Sequence, residues 1–315
     1  MAAAVLAACS KTVEGPSGNG IPMEVGVFSG IPTKAPITGT TMPTSRHIVF
    51  STYYNAAEGS SANYFTGIDF SYKGEGTIWT TGKYWPLSGT LDFLGYSLDN
   101  LTRVSSVAWG SNVASTVTMT LADNNSNQDD LLVGGASALT AASNAVVMKH
   151  AQALLMCRAK SNVAYNAGTN YGITITDIKF NSTKHSGTVL CTRTGGNIAF
   201  TWSSLGSSMN KSLPSMTSTN LTTTFANING TPGLMVPSQT ETSITIYYTI
   251  HNGFASDGVS PVNNNLQYTW TPGSPITWQP GKRYTYDIDM SLTQITVSAS
   301  VTDWVNNANT PVNIP

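Results

Sequence analysis

Four histidines (His47, His150, His185 and His251), three cysteines and one adjacent carboxylate pair, Asp129-Asp130, are the residues from which this chain could build a reactive site. A metal centre needs ligands grouped at short spacing, as in His-Glu-x-x-His or Cys-x-x-Cys, and neither pattern occurs. There is no Gly-x-Ser-x-Gly elbow for a nucleophile and no glycine loop that could cradle a phosphate. Neighbouring side chains on an extended chain point to opposite faces, so Asp129 and Asp130 read as solvating a turn rather than as an acid/base pair. His150, inside MKHAQAL, reads as a structural histidine satisfied by the fold. These observations argue against an enzyme, and no cofactor or metal is expected.

Cys9 carries a different chemistry. It follows a short apolar run, MAAAVLAA, that is much shorter than the roughly 20 residues needed to span a bilayer. Small residues after an apolar core mark an export-signal cleavage site. Leu6-Ala7-Ala8-Cys9 is similar to the bacterial lipobox, in which the cysteine is lipidated and becomes the new N-terminus. No Lys or Arg precedes Cys9, so translation is expected to start upstream of Met1. The alternative is an ordinary cysteine in a terminal tail. Cys157 and Cys191 lie in apolar stretches, ALLMCRA and GTVLCT, and read as buried thiols, with a disulfide between them as the other option.

The elements that carry these residues are strands. Of 315 residues only 10% are charged, against about 25% in ordinary soluble domains. The net charge of −1 offers no basic surface, so nucleic acid is not an expected partner. Residues 1–20 read as the end of a signal followed by a flexible tether. Beyond them, period-2 alternation recurs: Met23, Val25 and Val27; Ile48 and Phe50; Val117, Met119 and Leu121; Ile244, Ile246, Tyr248 and Ile250; Tyr284, Tyr286, Ile288 and Met290; Ile295, Val297, Ala299 and Val301. This pattern marks strands with one buried and one wet face, as in antiparallel sheets. Most aromatic residues fall in phase with these strands and are expected in the core. Residues 137–156 read equally as helix or strand. NSTKHSG at 181–187 is the best internal linker, giving an expected N-terminal domain over 21–183 and a C-terminal domain over 184–315.

Four stretches together carry a family resemblance. KYWPLSGTLDFLGYS (83–97), DDLLVGG with VVMKHAQALL (129–155), LMVPSQTETSITIYYTI (234–250) and WQPGKRYTYDIDMSLTQITVSASVTDW (278–304) resemble the corresponding segments of the Mfa-like fimbrillins of Bacteroidales. The resemblance implies an all-β fold of two tandem transthyretin-like Greek-key β-sandwich domains and a subunit of a type V pilus. It further implies export as a lipoprotein to the outer-membrane surface, removal of the N-terminal strand by a trypsin-like protease, and assembly with other fimbrillin subunits by strand exchange. Trp304, out of phase with the strand before it, reads as a plug where that strand ends.

Met23–Phe28 then becomes the candidate removable strand. The segment after it, SGIPTKAPITGTTMPTSR, lacks apolar alternation and contains two basic residues, Lys34 and Arg46. Where the family usually has Thr-Arg-Ala, this chain has Thr33-Lys34-Ala35, so Lys34 and Arg46 are both candidate cleavage points. The rival reading is a monomeric outer-membrane surface lipoprotein that binds a glycan or a host protein through its loops.

Overall fold

A computed structural model describes residues 20–29, 42–74, 76–98, 103–122, 129–228, 233–304 and 312–314. These residues form strands throughout, with no α-helix among them. In chain order the first nine are β1 (Pro22–Ser29), β2 (His47–Asn55), β3 (Ala62–Tyr72), β4 (Ile78–Tyr84), β5 (Thr90–Leu98), β6 (Val104–Trp109), β7 (Thr116–Leu121), β8 (Leu132–Leu139) and β9 (Ala145–His150). Then come β10 (Ala153–Ser161), β11 (Tyr171–Thr183), β12 (Gly187–Thr194), β13 (Asn197–Ser203), β14 (Met209–Ser212), β15 (Thr219–Asn220), β16 (Ala226–Asn227), β17 (Leu234–Val236) and β18 (Gln239–Thr240). The last six are β19 (Ile244–Phe254), β20 (Pro261–Trp270), β21 (Thr277–Trp278), β22 (Lys282–Met290), β23 (Ile295–Asp303) and β24 (Val312–Ile314).

In the first unit, seven strands form a ring in the order β1-β4-β3-β2-β5-β8-β9, closed where β9 meets β1. The consecutive strands β2, β3 and β4 lie side by side with β1 returning beside β4, which is a Greek key. The alternating residues of β1 and β2 fill the interior: Met23, Val25, Val27, Ile48 and Phe50 are fully buried with Trp79 and Phe93. A four-stranded sheet, β13-β12-β7-β6, packs on the outer face of the ring. There Val117, Met119, Val189 and Cys191 meet Leu94, Tyr96 and Val133. Gly95 allows this two-sided packing at the centre of β5, because a Cβ there would lie 2.2 Å from the Phe50 ring.

The second unit is a sandwich. One sheet runs β16-β10-β22-β23-β24, with β17 also on β10; the other runs β14-β11-β19-β20, with β15 also on β11. Their inward rows, including Ile173, Ile175, Ile246, Tyr286 and Ile288, make one continuous core. The small pair β18-β21 completes this unit.

The all-β, two-unit expectation agrees with this architecture, but the units do not divide at 183/184. β10 and β11, expected in the N-terminal domain, pair with β22 and β19 of the second unit. β12 and β13, expected in the C-terminal domain, belong to the sheet containing β7. The chain therefore crosses between units near Gln152, returns after Thr183 and crosses again after Ser203. The expected linker does contain one of these crossings, between β11 and β12, but it is not the only one. Residues 137–156 are strand, running through the end of β8, β9 and the start of β10. Their alanines favour helix only weakly, and burial of Val146, Met148, Leu154 and Leu155 outweighs that preference.

One ionisable group in the second core is out of its ordinary range. Glu241 is 5% exposed, and its Oε2 accepts a 2.7 Å hydrogen bond from the Tyr286 hydroxyl. Burial pushes its pKa from 4.5 up to about 7, against a smaller opposing effect of that hydrogen bond. Between pH 4.5 and 7 the folded chain holds this proton while the unfolded chain releases it. The stabilisation is complete below 4.5 and is lost as pH rises towards 7, an effect of about 3 kcal/mol. Glu241→Gln cannot ionise. Relative to the wild type it should gain stability between pH 5 and pH 8, measured by urea unfolding; a constant difference across that interval would contradict this account.

Candidate functional site

β1 is held on both sides. It runs antiparallel to β4, with Val25 opposite Trp79 and Gly26 opposite Ile78, and parallel to β9, with Val27 opposite Val146 and Ser29 opposite Met148. Side-chain and backbone bonds add to the ladders: Thr80 Oγ1 donates to the Met23 carbonyl at 3.1 Å and Asn144 Nδ2 to the Glu24 carbonyl at 2.8 Å. On the outer face Glu24 pairs with Lys73 at 2.7 Å. Its inward residues Met23, Val25 and Val27 are 0% exposed. On its other side β4 has a shorter ladder: among the described residues its register with β3 covers Thr80 opposite Ser71 and Trp79 opposite Tyr72, with the Lys73 N–H donating to the Ile78 carbonyl at 3.0 Å. Taking β1 away would therefore uncover two strand edges and a row of apolar core, leaving a slot shaped for an extended chain.

The expected processing residues fall in different places. Cys9 and Lys34 lie outside the described residues. Arg46 is buried, at 3% exposed, just before β2. Its Nε donates to Ser97 Oγ and its Nη2 to the Ser97 carbonyl, each at 3.1 Å, and Nη2 also donates to the Asp130 carbonyl.

Arg46 belongs to a charged cluster that sequence reading did not assemble. Asp130, fully buried, pairs through Oδ1 with His150 Nδ1 at 2.9 Å. Asp129, also buried, lies 3.5 Å from the Arg103 guanidinium. The two carboxylates do face different ways, but each finds its own partner inside the protein, Arg103 for Asp129 and His150 for Asp130, so neither solvates a turn. These partners are remote in sequence, and no local signal indicates them. His150 is the satisfied structural histidine expected, and its ring stacks on Trp304 with centroids 3.7 Å apart and planes 11° off parallel. Trp304 thus closes the end of β23 against a residue of the first unit. Its backbone N–H donates to the Gly281 carbonyl at 2.7 Å.

This cluster is built for anchoring. Among the described residues no three His, Cys, Asp or Glu side chains come together as a metal site. Cys157 and Cys191 are both buried free thiols, in separate cores. Burial pushes the Cys191 thiol up to about 12 and the Cys157 thiol higher still, so neither supplies a thiolate at neutral pH.

A family model described as fimbrillin-like matches residues 33–304. The chain belongs to the fimbrillin-like family. Its fold is shared with a fimbrial protein from Bacteroides vulgatus (TM-score 0.61, 14% identity), the match covering 90% of this chain and 99% of that one. A candidate cell adhesion protein from Bacteroides ovatus is similar at a TM-score of 0.50 and 12% identity, over 92% of this chain and 100% of that one. No functionally curated protein matches the chain. In this fimbrillin-like fold the alternation of β1 was legible in the sequence, but its parallel pairing with β9, about 120 residues on, was not.

If β1 is an integral part of the core, Met23→Ala should cost about 2–5 kcal/mol, as large-to-small changes at fully buried sites do. Chemical unfolding checks this; a change within about 0.5 kcal/mol would mark β1 as a surface addition.

Proposed function

We propose that the chain is a subunit of a bacterial surface fimbrium, exported as a lipoprotein through Cys9, in which β1 is cut away and a strand of another subunit takes its place. The observation that carries this reading is the position of β1: a single strand, next to a cleavable stretch of sequence, covering two edges and burying three apolar side chains. Family membership supplies the fimbrial context. The similar protein from B. vulgatus is itself described as fimbrial.

Replacement of one strand by another is binding by β-augmentation, in which ladder hydrogen bonds give affinity and alternate side-chain pockets give register. Three buried aliphatic residues contribute roughly 5–9 kcal/mol before ordering costs. The cut belongs at Lys34 rather than Arg46. Arg46 is buried and bonded through its guanidinium, and a protease requires an exposed, extended segment. Lys34 also stands where the family usually has arginine, so the maturing protease is a trypsin-like one that accepts lysine.

Limited trypsin digestion followed by sizing tests the assembly step. A cut between Phe28 and Met42 with β1 removed should convert the monomer into polymers, and Lys34→Ala should stop both. A cut chain that stays monomeric at high concentration would favour the monomeric surface lipoprotein instead.

The anchor has its own test. Cys9→Ala should move the protein from the membrane fraction to the soluble fraction, because multiple acyl chains are what give stable retention. Unchanged retention would refute lipidation at Cys9.

A further inference from the structure

The outer face of the β11-β19-β20 sheet carries polar and aromatic side chains grouped around a hollow. In β11 the register with β19 slips between Ile175 and Asp177, a bulge that leaves Thr176 exposed as an extra residue. Bulges of this kind re-aim side chains and are over-represented beside functional sites. Directly across from it, Tyr247 is in register with Asp177 on one side and with Gln267 on the other. Thr176, Tyr247, Asn265 and Gln267, with Tyr248 and Leu266, bound a shallow hollow of about 410 Å³. That volume lies in the range of roughly 300–1,000 Å³ found for small-ligand sites.

We infer that this hollow is a subsite for a neutral saccharide. Tyr247 is the aromatic residue of the hollow's outward row, and its half-buried ring offers a flat surface to the C–H face of a sugar. The Gln267 and Asn265 amides and the Thr176 hydroxyl all stand exposed around it, and each can both donate to and accept from a sugar hydroxyl. Asn265 is braced by Thr249, whose Oγ1 donates to its Oδ1 at 2.7 Å, so its amide is oriented before any ligand arrives.

The charges beside the ring decide between ligand classes. Lys179 Nζ lies 4.8 Å from the Tyr247 ring centroid and 3.6 Å from Asp177 Oδ2. Asp177 Oδ2 also accepts from Ser212 Oγ at 2.9 Å, and its Oδ1 is buried, so the carboxylate is turned into the sheet rather than towards a ligand. The paired lysine and aspartate leave no net charge for a phosphate or an acidic sugar. Leu266 is the one aliphatic residue at the hollow, too little to hold an apolar peptide. A neutral, hydroxyl-rich ring fits what remains.

This inference uses no strand of the ring and does not depend on strand exchange, so it is tested on the uncut monomer. The labelled chain is applied to an array of neutral and sialylated oligosaccharides, and hits are titrated as free oligosaccharides by NMR. Saturable binding of a neutral oligosaccharide is expected, weakened roughly tenfold or more by Tyr247→Ala and by Gln267→Ala. Ser298→Ala, on the outer face of the opposite sheet, should leave binding unchanged. Gln267 sits on an exposed edge strand, so its variant should unfold at the wild-type temperature and keep the test valid. Absence of saturable binding to any neutral oligosaccharide overturns the assignment. So does binding confined to sialylated ones, or binding unaffected by both variants.

Discussion

Backbone N–H and C=O groups along a strand edge that also carries a core-facing apolar row must be covered, and in the first unit β1 covers two such edges at once. β4 has two register positions on β3 and four on β1, so its place in the ring depends more on β1 than on its hairpin neighbour. β9 reaches the ring through β8 on one side and β1 on the other. A ring of this kind has no open edge while β1 is present, and it gains two when β1 leaves. The strand that protects the monomer from edge pairing is therefore the one whose loss the proposed assembly requires.

The two units are tied by polar and aromatic contacts as well as by the chain crossings. Arg46 before β2, Asp130 before β8 and His150 at the end of β9 form one buried group, and Trp304 of the second unit stacks on it. Removing one partner of a buried hydrogen-bonded pair is costly because the other is left unsatisfied. That constraint holds β9, the immediate neighbour of β1, in place at its far end. The β9 wall of the slot is thus braced by contacts that β1 does not supply.

What could be read from the chain beforehand follows the range of the interactions. The inward rows Met23-Val25-Val27 and Tyr284-Tyr286-Ile288-Met290 are local, and burial matches them residue for residue. The parallel pairing of β10 with β22 joins residues about 130 apart and leaves no local trace, which is why residues 153–183 read from sequence as part of the first unit. NSTKHSG looked like a domain boundary because it is polar and turn-rich. It is a crossing between sheets, and crossings and boundaries share that composition. Asp129 and Asp130 looked solvated for a similar reason: a carboxylate pair in a polar stretch gives no hint of Arg103 or His150. Tyr247, out of phase with Ile244, Ile246, Tyr248 and Ile250, is legible as a wet-face residue, but the bulge at Thr176 and the register that brings Asn265 and Gln267 beside it leave no local signal.

That register also separates the two proposed activities physically. Sheet β14-β11-β19-β20 shares no strand with the ring, so exchange of β1 breaks none of the hydrogen bonds that position Tyr247, Asn265 and Gln267. A recognition surface on the ring itself would be remade at each assembly step, because one of its strands is replaced. On the second unit it is the same before and after. A subunit that polymerises through one core and binds through the face of another can present the same surface in the free and the assembled state, and repetition along a fibre would then multiply a weak single-site affinity through effective concentration.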